Sequence, residues 1–230
     1  MKRFLVLILV LSGLNLNAQN NNLVSHFEAY YNQMKSQGDI QGMINGLTHL
    51  NVLQPSQARK DTLGFIYMRE GMHMQALNTL GIELGTNDSD IAVEVKAISL
   101  KAVGQPERAI THFNELFKRD NNALIAYELA ELNLQTNNAA EANKHIQYGI
   151  ANAKDDMNKA FFETQTPYQV PLKAAFLYLK GLAKFNENKT INIDAAVDLL
   201  DEALKLAPNF NLAQISKDAL LSQKQQQTKN

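Results

Sequence analysis

Five histidines, at 26, 49, 73, 112 and 145, are the residues best suited to hold a metal or move a proton near neutral pH. They are scattered, and only His112 and His145 share a regular spacing, of 33 residues. Met68, Met72 and Met74 could form a soft metal site, although filling gaps in a core is the commoner use of methionine. Paired carboxylates at Asp155-Asp156 and Asp201-Glu202 could do acid–base work. Both pairs fall at expected helix ends or exposed faces, where the helix dipole alone explains acidic residues. There is no cysteine, hence no disulfide framework, thiolate metal site or cysteine nucleophile. A glycine-rich phosphate loop, a nucleophile elbow and an HExxH helix are missing too. No catalytic residue, metal site or cofactor is assigned, and the sequence reads as that of a protein that performs no chemistry.

The composition is that of an ordinary globular chain: 45% hydrophobic and 20% charged residues over 230 positions. Charges balance at a formal −1, which offers no basic field for a nucleic acid. Lys2 and Arg3 precede an unbroken apolar run from Phe4 to Leu11, and Asn15-Leu16-Asn17-Ala18 then turns polar. This charged, apolar, small-residue order is that of a secretory signal over 1–18, with cleavage expected near Ala18. The run is short for a membrane span of about 20 residues. The chain is therefore expected to be exported, periplasmic or secreted, with no membrane span in its mature form. With no cysteine at the cut, no lipid anchor is expected. The Asn-rich start and Ala-Gln junction look bacterial, so a bacterial envelope is the expected setting. The glycosylation sequons at Asn87 and Asn188 would then carry no meaning.

What would position any functional residue is a set of repeats. Gly38, Gly71, Gly104 and Asn137 follow one another at steps of 33. Five positions after them stand Met43, Ala76, Ala109 and Ala142, and four further on Leu47, Leu80, Phe113 and Ile146. Seven positions before them come Tyr31, Gly64, Ala97 and Ala130. Each unit reads as an apolar-periodic helix, a left-handed turn at Gly or Asn, and a second helix. Pro106 suits the first position of such a helix. Alanine at 76, 109 and 142 lets two helices approach closely, and a larger residue one turn on fills the space beside it.

The pattern resembles the tetratricopeptide repeat, a helix–turn–helix unit of about 34 residues. The resemblance covers four units in 19–156 (24–56, 57–89, 90–122 and 123–155). It extends to a fifth at 174–208, where Leu177, Gly181, Ala196, Leu200, Ala203 and Pro208 match. The family's tryptophan position holds Phe27, Lys60, Val93, Ala126 and Leu177, and Lys60, Glu83, Lys180 and Lys184 depart from its pattern. The fold class it implies is all-α, a right-handed solenoid of about five repeats with a C-terminal capping helix. That helix is expected from Asn211 to Ser222, completing a segment of 174–222, with a disordered tail over 223–230. Between the repeats, 157–173 is an irregular insertion, because Pro167 and Pro171 deny it a continuous helix. It reads as a short helix plus an extended loop packed across the array, serving either as a structural plug or as part of a binding surface.

The resemblance implies a concave groove lined by the first helix of each unit. Carried over residue by residue, it offers Glu28 and Asn32, then Asp61, Phe65, Arg69 and neighbouring Met68. It continues with Glu94, Ile98 and Lys101, then Tyr127 and Leu134, and finally Tyr178, Leu182 and Phe185. Glu28, Asp61 and Glu94 make a row of acids, and beyond it the groove turns aromatic. The implied function is a non-enzymatic scaffold or adaptor for a protein or peptide with basic and apolar residues. An envelope subunit that oligomerises through its convex face or ends is the alternative, and the oligomeric state is left open.

Overall fold

The computed structural model describes residues 22–227, so the expected signal sequence lies outside the described residues. The chain divides at Gly104 and Gln105 into two compact units. This cut runs between the two helices of the third expected repeat.

The first unit contains α1 (22–37), α2 (Ile40–Leu53), α3 (Gln57–Arg69), α4 (His73–Leu80) and α5 (Asp90–Ala102). Asp39 caps α2 through its side chain, which accepts from the Gly42 amide at 2.9 Å. Gly38, Gly71 and Gly104 sit at φ of 70°, 73° and 74°, and in the second unit Asn137 sits at 58°. All four 33-spaced positions thus adopt the left-handed turn expected of them, a conformation that Gly and Asn enter at least cost. Ile44, Leu47, Leu63 and Ile66 form one buried cluster with Tyr31, Met43 and Tyr67 packed on it. Met68, Ala76 and Val95 form a second with Leu80 and Ile98.

The departure at Glu83 has a structural cause. Helix α4 has 8 residues, where α2 has 14, and it stops at Gly81 with φ 83°. The chain crosses to α5 as a loop, and the Lys96 ammonium, 2% exposed, holds that loop from beneath. It donates to the Glu83 carbonyl at 2.9 Å and to Asp88 Oδ2 at 2.7 Å. A buried lysine thus replaces the missing helical turns.

The second unit contains α6 (Pro106–Arg119), α7 (Ala123–Gln135), α8 (Ala139–Asn152), β1 (Asn158–Phe161), β2 (Tyr168–Pro171), α9 (Leu172–Glu187), α10 (Ile193–Leu206) and α11 (Asn211–Gln227). Pro106 opens α6, and Ala109 and Ala142 are fully buried. The core runs from Ala126, Tyr127 and Ala130 through Phe176 and Leu200 to Phe210.

Two expectations need correction here. The insertion contains no helix before α9 begins at Leu172: its two strands pair antiparallel, Asn158 opposite Pro171 and Phe161 opposite Tyr168. Phe, Tyr and Val favour such a surface, and Pro171 sits at a strand end, where its missing N–H costs no ladder bond. The tail does not fray from 223, because α11 continues through Gln227. Gln223 donates to the Lys189 carbonyl at 3.0 Å, and Lys224 reaches Asp194 at 2.6 Å, which ties that last turn to the preceding loop and helix.

Candidate binding surface

In the first unit the expected groove residues lie on α1, α3 and α5, and α3 packs directly on α5. Glu28, Asn32, Arg69 and Glu94 are exposed, while Ile98 and Lys101 are half-buried. Phe65 is 39% exposed and Ile91, one turn before Glu94, 48%. A large apolar residue is commonly buried, so two of them left open on adjoining helices mark this face. The Glu28 carboxylate lies 3.7 Å from the Arg59 guanidinium, which tempers its charge.

Asp61 breaks the acid row. It is 6% exposed and accepts from Gln57 at 2.8 Å and from Ser89 Oγ at 2.7 Å. Ser89 in turn caps α5 by accepting from the Ala92 amide at 3.0 Å. The carboxylate is a structural tie from α3 to the start of α5 and is withdrawn from solvent. Met68, at 7% exposure, is likewise core. The signal for Asp61 was available in Ser89-Asp90 ahead of an apolar helix, since a capping hydroxyl keeps its own proton to donate.

In the second unit the aromatic end of the groove is closed. Tyr127 is fully buried, so its assignment to an open groove is corrected. Its ring meets Phe176 edge-on at 5.5 Å and carries the Lys159 ammonium 4.8 Å from its centroid. Lys159 also pairs with Glu128 on the same helix. Burial above all, then the Glu131 and Glu128 carboxylates, push the Tyr127 phenol well above its ordinary pKa. Its hydroxyl is buried without a hydrogen-bond partner. The Tyr178 ring lies 5.1 Å from Phe210, and burial raises its pKa against the opposing hydrogen bond with Ser216. Leu134, Leu182 and Phe185 are partly buried against the same core.

The hairpin does the covering. Phe161 and Val170 are buried, and Phe161 packs 4.8 Å from Phe210 and 5.7 Å from Tyr168. Tyr168 donates to Glu163 at 2.5 Å and accepts from the Leu212 amide at 3.4 Å. Its phenol is pushed up to about 12, by burial first and then by the bond to Glu163. The inward side of the insertion is thus packed into the core, while Phe162 at its tip is 74% exposed. Sequence reasoning gave no role to Phe210, which follows the fifth expected repeat and joins the hairpin to α9.

The two histidines spaced 33 apart, His112 and His145, are buried and serve packing. His112 Nδ1 lies 3.0 Å from the Arg108 carbonyl, and His145 meets Phe117 edge-on at 5.2 Å. Burial, then the neighbouring Lys144 ammonium, lower the His145 pKa, against the opposing pull of Glu141. Among the described residues no three of His, Asp and Glu gather as a metal site would require, and no helix is long and apolar enough to cross a membrane.

No family model matches the sequence, and no curated protein matches it. Solved structures do. A tetratricopeptide repeat protein from Parabacteroides merdae is 16% identical, with TM-score 0.66, covering 86% of this chain and 72% of its own. YrrB, described as a TPR protein with an unusual peptide-binding site, is 15% identical with TM-score 0.64, over 84% of this chain and 90% of its own. MamA is 17% identical with TM-score 0.61, over 80% of this chain and 92% of its own. Together with the helix pairs and their left-handed turns, these likenesses show the fold: this is an all-α array of tetratricopeptide-type helix–turn–helix repeats.

Proposed function

We propose that the chain is an exported, non-enzymatic scaffold that binds a protein or peptide through the α1, α3 and α5 face of its first unit. The observation that carries this reading is the exposure of Phe65 and Ile91 on that face, beside Glu28 and Glu94. Apolar anchors flanked by polar groups suit a protein partner. YrrB, of the same fold, is described as having a peptide-binding site, which supports the reading by analogy of fold. Export rests on the Lys2-Arg3 start and the apolar run that follows.

With Asp61 withdrawn into the structure, the partner chemistry shifts. Two acids remain, one tempered by Arg59, so apolar residues carry affinity and basic residues chiefly guide approach. Exposed charges act over about 8 Å at physiological salt. The test is titration of the mature protein with synthetic peptides combining Lys or Arg with Leu or Phe, against peptides ending in several acids. The basic-apolar peptides are expected to bind more tightly. Phe65→Ala and Ile91→Ala should each weaken them about ten-fold. Glu28→Ala with Glu94→Ala should mainly slow association and flatten its salt dependence. Affinity unchanged by Phe65→Ala and Ile91→Ala would sink the assignment of this face.

A further inference from the structure

The hairpin Asn158–Pro171 is attached to the second unit as a ligand is attached to its receptor. Its strands form a two-stranded sheet of their own. An isolated pair of strands is marginal in water, so docking must hold it in order. The apolar and charged side-chain docking comes from one face of the hairpin, with hydrogen bonds from Asn209 to the Gln169 carbonyl and from Asn211 to Glu163 beside it. Residues two apart on a strand share a face, and here Lys159 and Phe161 on β1 and Tyr168 and Val170 on β2 point inward. Lys159 caps the Tyr127 ring and meets Glu128, Phe161 and Tyr168 pack on Phe210, and Val170 is fully buried. On the opposite face Asn158 and Gln169 are exposed and Ala160 and Pro171 are partly buried. Beneath lie Tyr127 and Tyr178, residues that the repeat register places on the partner-binding side.

We propose that the α7 and α9 face of the second unit is a peptide-accepting surface occupied in cis by this hairpin. The surface takes a strand that carries a basic residue two positions before an aromatic one. In the resting chain the hairpin is that strand, and an external segment of the same chemistry engages only when the hairpin leaves. This closes the second unit to partners and confines open binding to the first. The proposal stands independently of what the first unit binds.

The geometry of the base provides the test. The Leu172 amide donates to the Met157 carbonyl at 2.8 Å, so the two ends of the hairpin already touch. Excising Asn158–Pro171 and bridging with Gly-Gly in the full mature chain removes the occupant without stretching the scaffold. The probe is the synthetic peptide NKAFFETQTPYQVP. The excised chain is expected to keep its helical circular dichroism and to bind this peptide one-to-one, while the native chain does not bind it. A peptide carrying Lys159→Glu and Phe161→Ala should bind at least about ten-fold more weakly. A folded excised chain that ignores the peptide, or binds both peptides equally, overturns the proposal. Should the excised chain fail to fold, hydrogen exchange on the native chain decides. Hairpin amides that exchange through an opening cheaper than that of α9 support a removable occupant; amides that exchange only with α9 show one cooperative core and overturn it.

Discussion

Gly149 shows how a single hydrogen atom can set the sign of a mutation. In an exposed helix interior, glycine costs about 0.5–1 kcal/mol relative to alanine. Gly149 lies inside α8 and is buried, and a Cβ built on it would come within 1.9 Å of the Phe176 ring of α9. Gly149→Ala is therefore expected to destabilise by about 1–3 kcal/mol through overpacking, despite its better helix propensity. Urea denaturation would read this as a lower midpoint. Adding Phe176→Leu, which shortens the clashing group, should restore part of the loss. Residue by residue, the sequence was most readable where only one or two residue types fit, as at Gly38, Gly71, Gly104 and Asn137 with their positive φ. Asp61 and Tyr127 were misread for a common reason. A repeat register says which way a side chain points, but its exposure depends on what another element lays over it, here the Ser89 cap and the hairpin.

Among the elements, the truncated α4 and its loop make the sharpest case. Lys96 and Asp88 form a buried pair that fixes the loop, with side-chain exposures of 3% and 15%. Removing either charge of such a pair strands the other, but Asp88 is the more exposed partner and keeps the Gly85 amide at 2.8 Å, so a stranded Asp88 costs less than a stranded Lys96. Asp88→Ala is thus expected to cost about 3–5 kcal/mol, and Lys96→Met clearly less. Paired denaturation curves check this, and losses below about 1 kcal/mol in both variants would show that the ion pair is not what holds the loop. The sequence signalled trouble at Glu83 but not its cause, because a shortened helix and a buried cation leave the apolar spacing nearly intact. Pro167 and Pro171 excluded a continuous helix from the insertion, but the short helix expected within it is not there. Its strands were not readable, since four-residue strands are too short for alternation to stand out, and Lys159 reads as an outward residue until its partners Glu128 and Tyr127 are known. At the C-terminus, composition alone suggested a loose tail, and contacts from Gln223 and Lys224 hold it helical.

For the molecule as a whole, the N-terminal residues and the hairpin tip bear on where the chain can be cut. Export predicts that mass spectrometry of the envelope or secreted fraction will show a chain beginning near Gln19. An intact Met1 confined to soluble cytosolic material would contradict it. The hairpin tip has a further consequence. Phe162 projects at 74% exposure from the 162–167 turn, where an aromatic-seeking protease finds its preferred side chain. A cut there falls between β1 and β2, whose inward side chains are sunk in one shared core. The two fragments would stay clasped through that core and would run as one species until a denaturant parts them. The tip is thus a natural seam, at which the chain could be expressed as two separate halves that reassemble without a covalent link.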